Sequence, residues 1–169
     1  MTIEDNNIIL TIKRQSNLFV LLLTGLWSLG LVIITGTIIF GLITDTDKLH
    51  GEIILFISFF FIVGIFVFNI FLWHLKGKEK VSLSDKELIV EKLGTIFTSK
   101  RKYDIQDIDV FSLTEKPTTP FFIRFWGLGG GQIQFNYFGQ FKYFGQTLTG
   151  NDAKTIINKL NNKLKTTTR

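Results

Sequence analysis

Apolar residues run from Leu18 to Thr44 and again from Ile53 to Leu75 without a Lys, Arg, Asp or Glu among them, and beyond Lys76 the pattern changes to alternating apolar and polar positions. Unbroken runs of this length predict helices that cross a bilayer, whereas alternation predicts half-buried strands. At about 27 residues and about 1.5 Å per residue, the first run reaches roughly 40 Å against a hydrocarbon core of roughly 30 Å. The second, at about 23 residues, matches the core closely. Backbone groups inside a bilayer must be satisfied within their own segment, so both runs are predicted to be helices, and the short charged connection makes them an antiparallel hairpin. The first run is too long for a signal-peptide core and lacks a small-residue cleavage pattern, which marks it as a retained anchor.

Past Lys80 the alternation supports about seven strands. Val81 and Leu83 alternate with Ser82 and Ser84, Asp85-Lys86 turns the chain, and Leu88 and Val90 continue the pattern. Gly94-Thr95 is a turn, followed by a strand from Ile96 to Tyr103 and another from Ile108 to Thr114, which the prolines of Lys116 to Pro120 terminate. Phe121 to Trp126 and Gln132 to Phe138 read as two further strands joined by Gly127-Leu128-Gly129-Gly130-Gly131, and Phe138-Gly139-Gln140-Phe141 signals a two-residue hairpin with a type II′ turn. Thr149 with Asp152 resembles a capping box, after which Ala153, Ile156, Ile157, Leu160 and Leu164 form one apolar stripe, with Lys154, Asn158, Lys159, Asn161, Asn162 and Lys163 outside it.

Upstream of the first run, Ile8, Leu10 and Ile12 alternate with Ile9, Thr11 and Lys13, which predicts a strand that adds to an edge of the C-terminal sheet. Its competitor is a continuation of the membrane helix down to Asn7, because Gln15, Ser16 and Asn17 do not stop a helix decisively. The chain therefore divides into an N-terminal segment at 1–17, a two-helix hairpin at 18–75, a β domain with its C-terminal helix at 76–165 and a polar tail at 166–169.

Charge adds topology. Lys13 and Arg14 precede the first helix and Lys76, Lys78 and Lys80 follow the second, while the turn between the helices offers Lys48 against Asp45, Asp47 and Glu52. The positive-inside rule puts both termini in the cytoplasm, on the inner face of a bacterial cytoplasmic membrane. The net charge of +5 comes almost wholly from the C-terminal part, and each cation near an anionic leaflet contributes about 1 kcal/mol of attraction. Cysteine is absent, which removes disulfides, thiolate metal sites and thiol nucleophiles.

Within the helices Asn69 and His74 are the polar candidates. Asn69 reads as a bridge between helices, His74 as an interfacial side chain, Trp73 as an aromatic-belt residue and Trp27 as packing against the partner helix. Gly25, Gly30, Gly36 and Gly41 offer positions for close helix approach, and the phenylalanines of the second helix suit lipid contact. The turn from Thr44 to Glu52 is oxygen-rich but lacks the length and ligand count of a calcium loop, and reads as solvated.

In the domain, Lys100, Arg101 and Lys102 are the densest basic run, able with Arg124 to meet a phosphate or lipid headgroup; the plainer reading is a solvated strand face. The glycine run at 127–131 precedes no helix, so it is a hairpin tip and not a phosphate loop. Phe122, Trp126, Phe138 and Phe144 alternate against Phe121, Ile133, Phe135 and Tyr137, and form a candidate aromatic partner surface unless they line a second buried face. No serine sits in a nucleophile elbow, both histidines lie outside the domain, and the carboxylates lie in turns, so the chain reads as a non-enzyme without cofactor or metal.

About seven antiparallel strands closed by a C-terminal amphipathic helix is the element order of the pleckstrin-homology superfold. The stretch from Val81 through Val90, continuing through Tyr103-Asp104-Ile105-Gln106-Asp107-Ile108, resembles the bacterial branch of that superfold, which is often fused to a pair of membrane helices. The resemblance covers Leu18 to Leu164 and implies a membrane α-helical hairpin with an α+β, largely β, PH-like barrel. The layout is also similar to that of the photosystem I assembly factor of chloroplasts and cyanobacteria, and to that of the two-helix β-barrel effectors of cyclic-nucleotide antiphage signalling. Two expectations follow. One is a non-enzymatic docking or assembly scaffold with the bilayer and a protein partner or second copy, and no nucleic-acid polymer. The other is a ligand-gated effector whose domain binds a small anionic ligand such as a cyclic nucleotide and drives helix association.

Overall fold

The computed structural model describes residues 2–4, 7–44, 51–114, 119–127 and 129–167, with the side chains of all of these except 2–4, 42, 51–53, 122, 124 and 167. The charged turn at 45–50 and residues 115–118 of the proline segment lie outside the described residues.

Helices α1 (Leu18–Thr44) and α2 (Gly51–Lys76) are both long and apolar enough to cross a membrane. They pack against each other in antiparallel register, Gly25 receiving the Phe71 ring and Gly64 facing Leu31. Among the described residues, Gly30, Gly36 and Gly41 have no neighbour that an added Cβ would touch. Trp27 does not pack on the partner helix: it is 62% exposed on the outer face of α1.

The start of α1 is set by Asn17, whose side-chain carbonyl accepts from the amides of Phe19 (3.1 Å) and Val20 (3.5 Å). This cap satisfies donors that no preceding turn can reach. Residues before it are therefore free to be extended, and the N-terminal segment is a strand, not a helical continuation. Strands β1 (Thr2–Glu4), β2 (Asn7–Lys13), β3 (Lys78–Leu83), β4 (Glu87–Leu93) and β5 (Ser99–Asp104) form one antiparallel sheet in that order. Strand β2 pairs along its length with β3, from Ile8 opposite Leu83 to Lys13 opposite Lys78.

A 3-10 turn (Ile105–Asp107) leads to β6 (Ser112–Leu113), the short helix α3 (Phe121–Phe125), and the hairpin β7 (Ile133–Tyr137) and β8 (Gln140–Phe144). Strands β6, β7 and β8 form a second, three-stranded sheet. Among the described residues a single bridge, Ile108 to Tyr137, connects backbone beyond β5 to this sheet, so the domain is two sheets and not a closed barrel.

Three local readings are corrected. Phe121 to Trp126 holds a helix, because an unbroken apolar run carries no period to separate helix from strand. The glycine run after it joins α3 to β7 and is no hairpin tip. The true tip is Phe138-Gly139, with φ of 49° and 74°, so both central residues are left-handed and the turn is of the I′ kind, not II′.

Helix α4 (Gly150–Thr167) closes the core as its stripe predicts, with Ala153, Ile157, Leu160 and Leu164 buried among Val81, Leu83, Leu88, Phe111, Ile133, Phe135 and Phe144. Its first turn is held by the Thr149–Asp152 capping box, the hydroxyl donating at 2.7 Å and accepting from the Asp152 amide at 3.2 Å. Asn161, assigned to the solvated face, instead accepts from the Phe111 amide and donates to its carbonyl, both at 2.9 Å. A short segment with no strand partner thus has its backbone satisfied by one amide side chain.

Candidate functional site

The alternation of β2, β3 and β4 continues past their buried positions. Arg14 is in phase with Ile8, Leu10 and Ile12, Glu79 with Val81 and Leu83, and Lys92 with Leu88 and Val90; the register sets Glu79 opposite both Ile12 and Lys92. The inward face of the large sheet therefore ends, next to the helices, in a row of charges. Glu79 is buried. Its Oε2 accepts from the amides of Gly145 (2.7 Å) and Gln146 (3.4 Å), and its Oε1 lies 3.6 Å from the Lys92 ammonium, an ion pair too long for a hydrogen bond. The same ammonium lies 5.5 Å over the Trp73 ring, where a cation is attracted by the negative face of the indole.

Trp73 is 6% exposed and His74 is fully buried, so at this end of α2 both side chains are covered by the protein itself. His74 Nε2 is 3.4 Å from the Trp126 carbonyl, to which it donates in the tautomer protonated there. Burial pushes the Arg14 guanidinium below its ordinary pKa, and the charge of Glu79 opposes that push. Gly127, at φ 75°, fits closely against these groups: a Cβ there would lie 2.9 Å from Arg14 Nη2 and 3.0 Å from Trp73 Nε1. The Arg14 amide donates to the Gly77 carbonyl at 2.9 Å, and a Cβ on Gly77 would meet the Trp73 carbonyl at 2.3 Å. Both chain crossings between helices and domain thus run through one close-packed junction. Arg14 Nε, Trp73 Nε1, His74 Nδ1 and Glu79 Oε1 are buried in it without a hydrogen-bond partner among the described residues, a costly arrangement in low dielectric.

Among the described residues, the hydrogen bonds of Asn69 run to the domain and not to α1. Its side-chain oxygen accepts from the amides of Ile96 (3.0 Å) and Phe97 (3.3 Å), which hold the β4–β5 loop beside α2. Ile96 and Phe97 are therefore a loop tip, and β5 starts only at Ser99.

The basic run lies on β5, at the edge of the large sheet. Lys100 pairs with Glu91 at 2.7 Å and Lys102 with Glu87 at 3.6 Å, each across the β4–β5 ladder. Arg101 is exposed and has no ion pair among the described residues. Arg124 does not share this strand: it belongs to α3, whose Phe125 ring lies 6.4 Å from Phe19 of α1, and its side chain is outside the described set. Arg101, Lys102, Tyr103, Tyr137, Phe138 and Lys142 line one open groove between the β5 edge and the β7–β8 tip.

The aromatic strip divides. Phe144 is part of the core, fully buried against Phe111 and Phe135, because its place opposite Ile133 turns it inward. Trp126 is half-buried with its ring against Phe125, and the side chain of Phe122 lies outside the described residues. Phe138 remains, 71% exposed at the hairpin tip, with Phe141 exposed beside it. Arg14, Glu79 and Lys92 were missed by sequence reasoning, although parity signalled them: each continues an inward-facing series by one step. The chain matches no family model, no curated protein and no solved structure.

Proposed function

We propose that this is a non-enzymatic integral membrane protein, with both termini in the cytoplasm, whose α+β domain is of the PH-like kind and serves as a docking module for another protein chain at the inner membrane of a bacterium. The observation that carries the reading is the groove between β5 and the β7–β8 tip. It combines exposed Phe138 with Arg101, Lys102 and Lys142. The Phe144 end of β8 lies against Glu79 at the junction, and the tip is five residues further along the hairpin. At about 3.3 Å per residue the aromatic tip extends roughly 15 Å away from the helices, toward the cytoplasm in this orientation. Exposed aromatics beside cations suit a partner with apolar and acidic side chains.

Purification in mild detergent, followed by mass analysis of co-purifying chains, tests this when wild type is compared with Phe138→Asp and Arg101→Glu. A chain retained by wild type and lost from both variants is the expected result. A lone monomer in every preparation, or a partner indifferent to both substitutions, ends the reading.

The second reading, a ligand-gated effector sensing a small anion such as a cyclic nucleotide, draws support from the unpartnered polar atoms at the junction, through which a change in the domain would reach both helices. The pairing of Lys100 and Lys102 with carboxylates weakens its proposed anion site. Absence of any thermal shift with a panel of cyclic nucleotides disposes of it.

A further inference from the structure

The domain presents a second surface on the side of the helices. The β4–β5 loop reaches along α2 to Asn69, whose side chain holds the backbone of Ile96 and Phe97. Asn69 is seven residues from the end of α2 at Lys76, which at about 1.5 Å per residue is roughly 10 Å along the helix. Both side chains at the tip are exposed, Phe97 by 61%. Helix α3 occupies the corresponding place beside α1, with Phe125 near Phe19 in the first turn, and Phe121 on its outer face is 75% exposed.

The level of these residues is given by the helices themselves. Exposed apolar side chains continue down to Leu18 on α1 and Leu75 on α2, and the exposed cations Lys13, Lys76 and Lys78 follow immediately below. Such a boundary marks the headgroup level of a bilayer. The Ile96–Phe97 tip lies on the apolar side of it. The helices also have length to spare: about 40 Å for α1 against a hydrocarbon core of roughly 30 Å, leaving the last turns for the boundary zone.

We propose that Ile96 and Phe97, together with Phe121 and Ile123, insert into the leaflet that the helix pair crosses, so that the domain is seated in the boundary between headgroups and acyl chains and does not hang below it. The occupant of this surface is lipid, because the surface is continuous with the lipid-facing sides of both helices. The inference rests on the membrane-spanning reading of α1 and α2, and its test separates the two.

The chain has no native cysteine, so spin labels can be introduced singly into the full-length protein at Phe97→Cys, Phe121→Cys, Leu29→Cys and Phe138→Cys, and the variants reconstituted in nanodiscs of phosphatidylethanolamine and phosphatidylglycerol. Collision with oxygen, which partitions into lipid, is compared with collision with a water-soluble nickel chelate. Leu29 reports the middle of α1 and Phe138 the aqueous tip. The expected result is an oxygen-to-nickel ratio at 97 and 121 several-fold above that at 138 and approaching that at 29. Ratios at 97 and 121 equal to that at 138, with 29 still in lipid, overturn the inference and leave the helices spanning. Labels at 97 and 121 shielded from both reagents indicate a second copy covering the surface and overturn it equally. A water-exposed label at 29 overturns the spanning reading itself, and the inference with it.

Discussion

The middle of the helix pair and its domain-facing end both belong to the long apolar runs but differ in what covers them. In the middle, Trp27, Leu29, Phe59 and Phe61 face outward, and a Cβ on Gly30 or Gly36 would meet no described atom within 4 Å. At the domain end Val67, Ile70, Trp73 and His74 are buried by protein. Hydropathy records only aversion to water, and a lipid tail and a folded domain satisfy it alike. The difference lies in polar demand: lipid accepts a bare apolar face, whereas the domain brings Arg14, Glu79 and Lys92 to the same turns of helix and must balance their charge there.

The strongest way to break this contrast is to truncate the two tryptophans. Trp73→Ala removes a buried ring and the partner of Lys92, and should cost about 3–5 kcal/mol in denaturant unfolding in detergent. Trp27→Ala should change that unfolding by under about 0.5 kcal/mol, as expected for an exposed position. Equal losses at the two sites would show that one environment, not two, covers the helices.

Glu79→Ala comes next. It strips the Gly145 amide of its acceptor and leaves the half-buried Arg14 without its opposing charge, at about 3 kcal/mol. Loss of protection should appear together at Gly145 and in the first turn of α1 by amide exchange, because both meet at the junction; a loss confined to Gly145 would separate domain from helices.

Asn69→Ala should cost about 1–2 kcal/mol, since the Ile96 and Phe97 amides lose their shared acceptor. Increased mobility of a spin label at position 97, with the core unchanged, is the expected reading.

The smallest effect concerns Glu91, a half-buried counterpart to enclosed Glu79. Lys100 holds the Glu91 carboxyl below its ordinary value through hydrogen bonding and charge. A depressed carboxyl contributes stability above the ordinary carboxylate range and loses it as pH falls through the lowered value. Glu91→Gln should therefore melt slightly below wild type at neutral pH and match it in strong acid; the gap stays small because water reaches and screens the exposed Lys100 end of the pair.

Much of this was legible in the chain. Length and apolarity announced α1 and α2, period two announced β2, β3 and β4, and the stripe from Ala153 to Leu164 announced α4. Helix α3 was misread because Phe121 to Trp126 is apolar throughout and its aromatics favour strands in other contexts. Phe144 and Asn161 went astray for another reason: each is fixed by a partner distant in sequence, Ile133 across the hairpin and Phe111 across the core. The junction was hidden by where β3 was taken to begin. Starting at Val81 drops Glu79, while starting at Lys78 puts a carboxylate on the inward face and poses the question of its counter-charge.

Strands β2 and β3 are neighbours, and each runs almost directly into a long apolar helix, β2 through Arg14 to Asn17 and β3 back through Gly77. Paired strands lie about 4.8 Å apart and packed helices about 8–10 Å. The chain must splay within those few residues, and the Lys13–Lys78 rung, with the Arg14–Gly77 hydrogen bond just beyond it, acts as the spring of a clothes-peg. Prising the helices apart at this end would require unzipping the sheet, and at the other end only six residues join Thr44 to Gly51, so the pair is clasped at both ends and neither helix can leave the other without breaking one of the clasps.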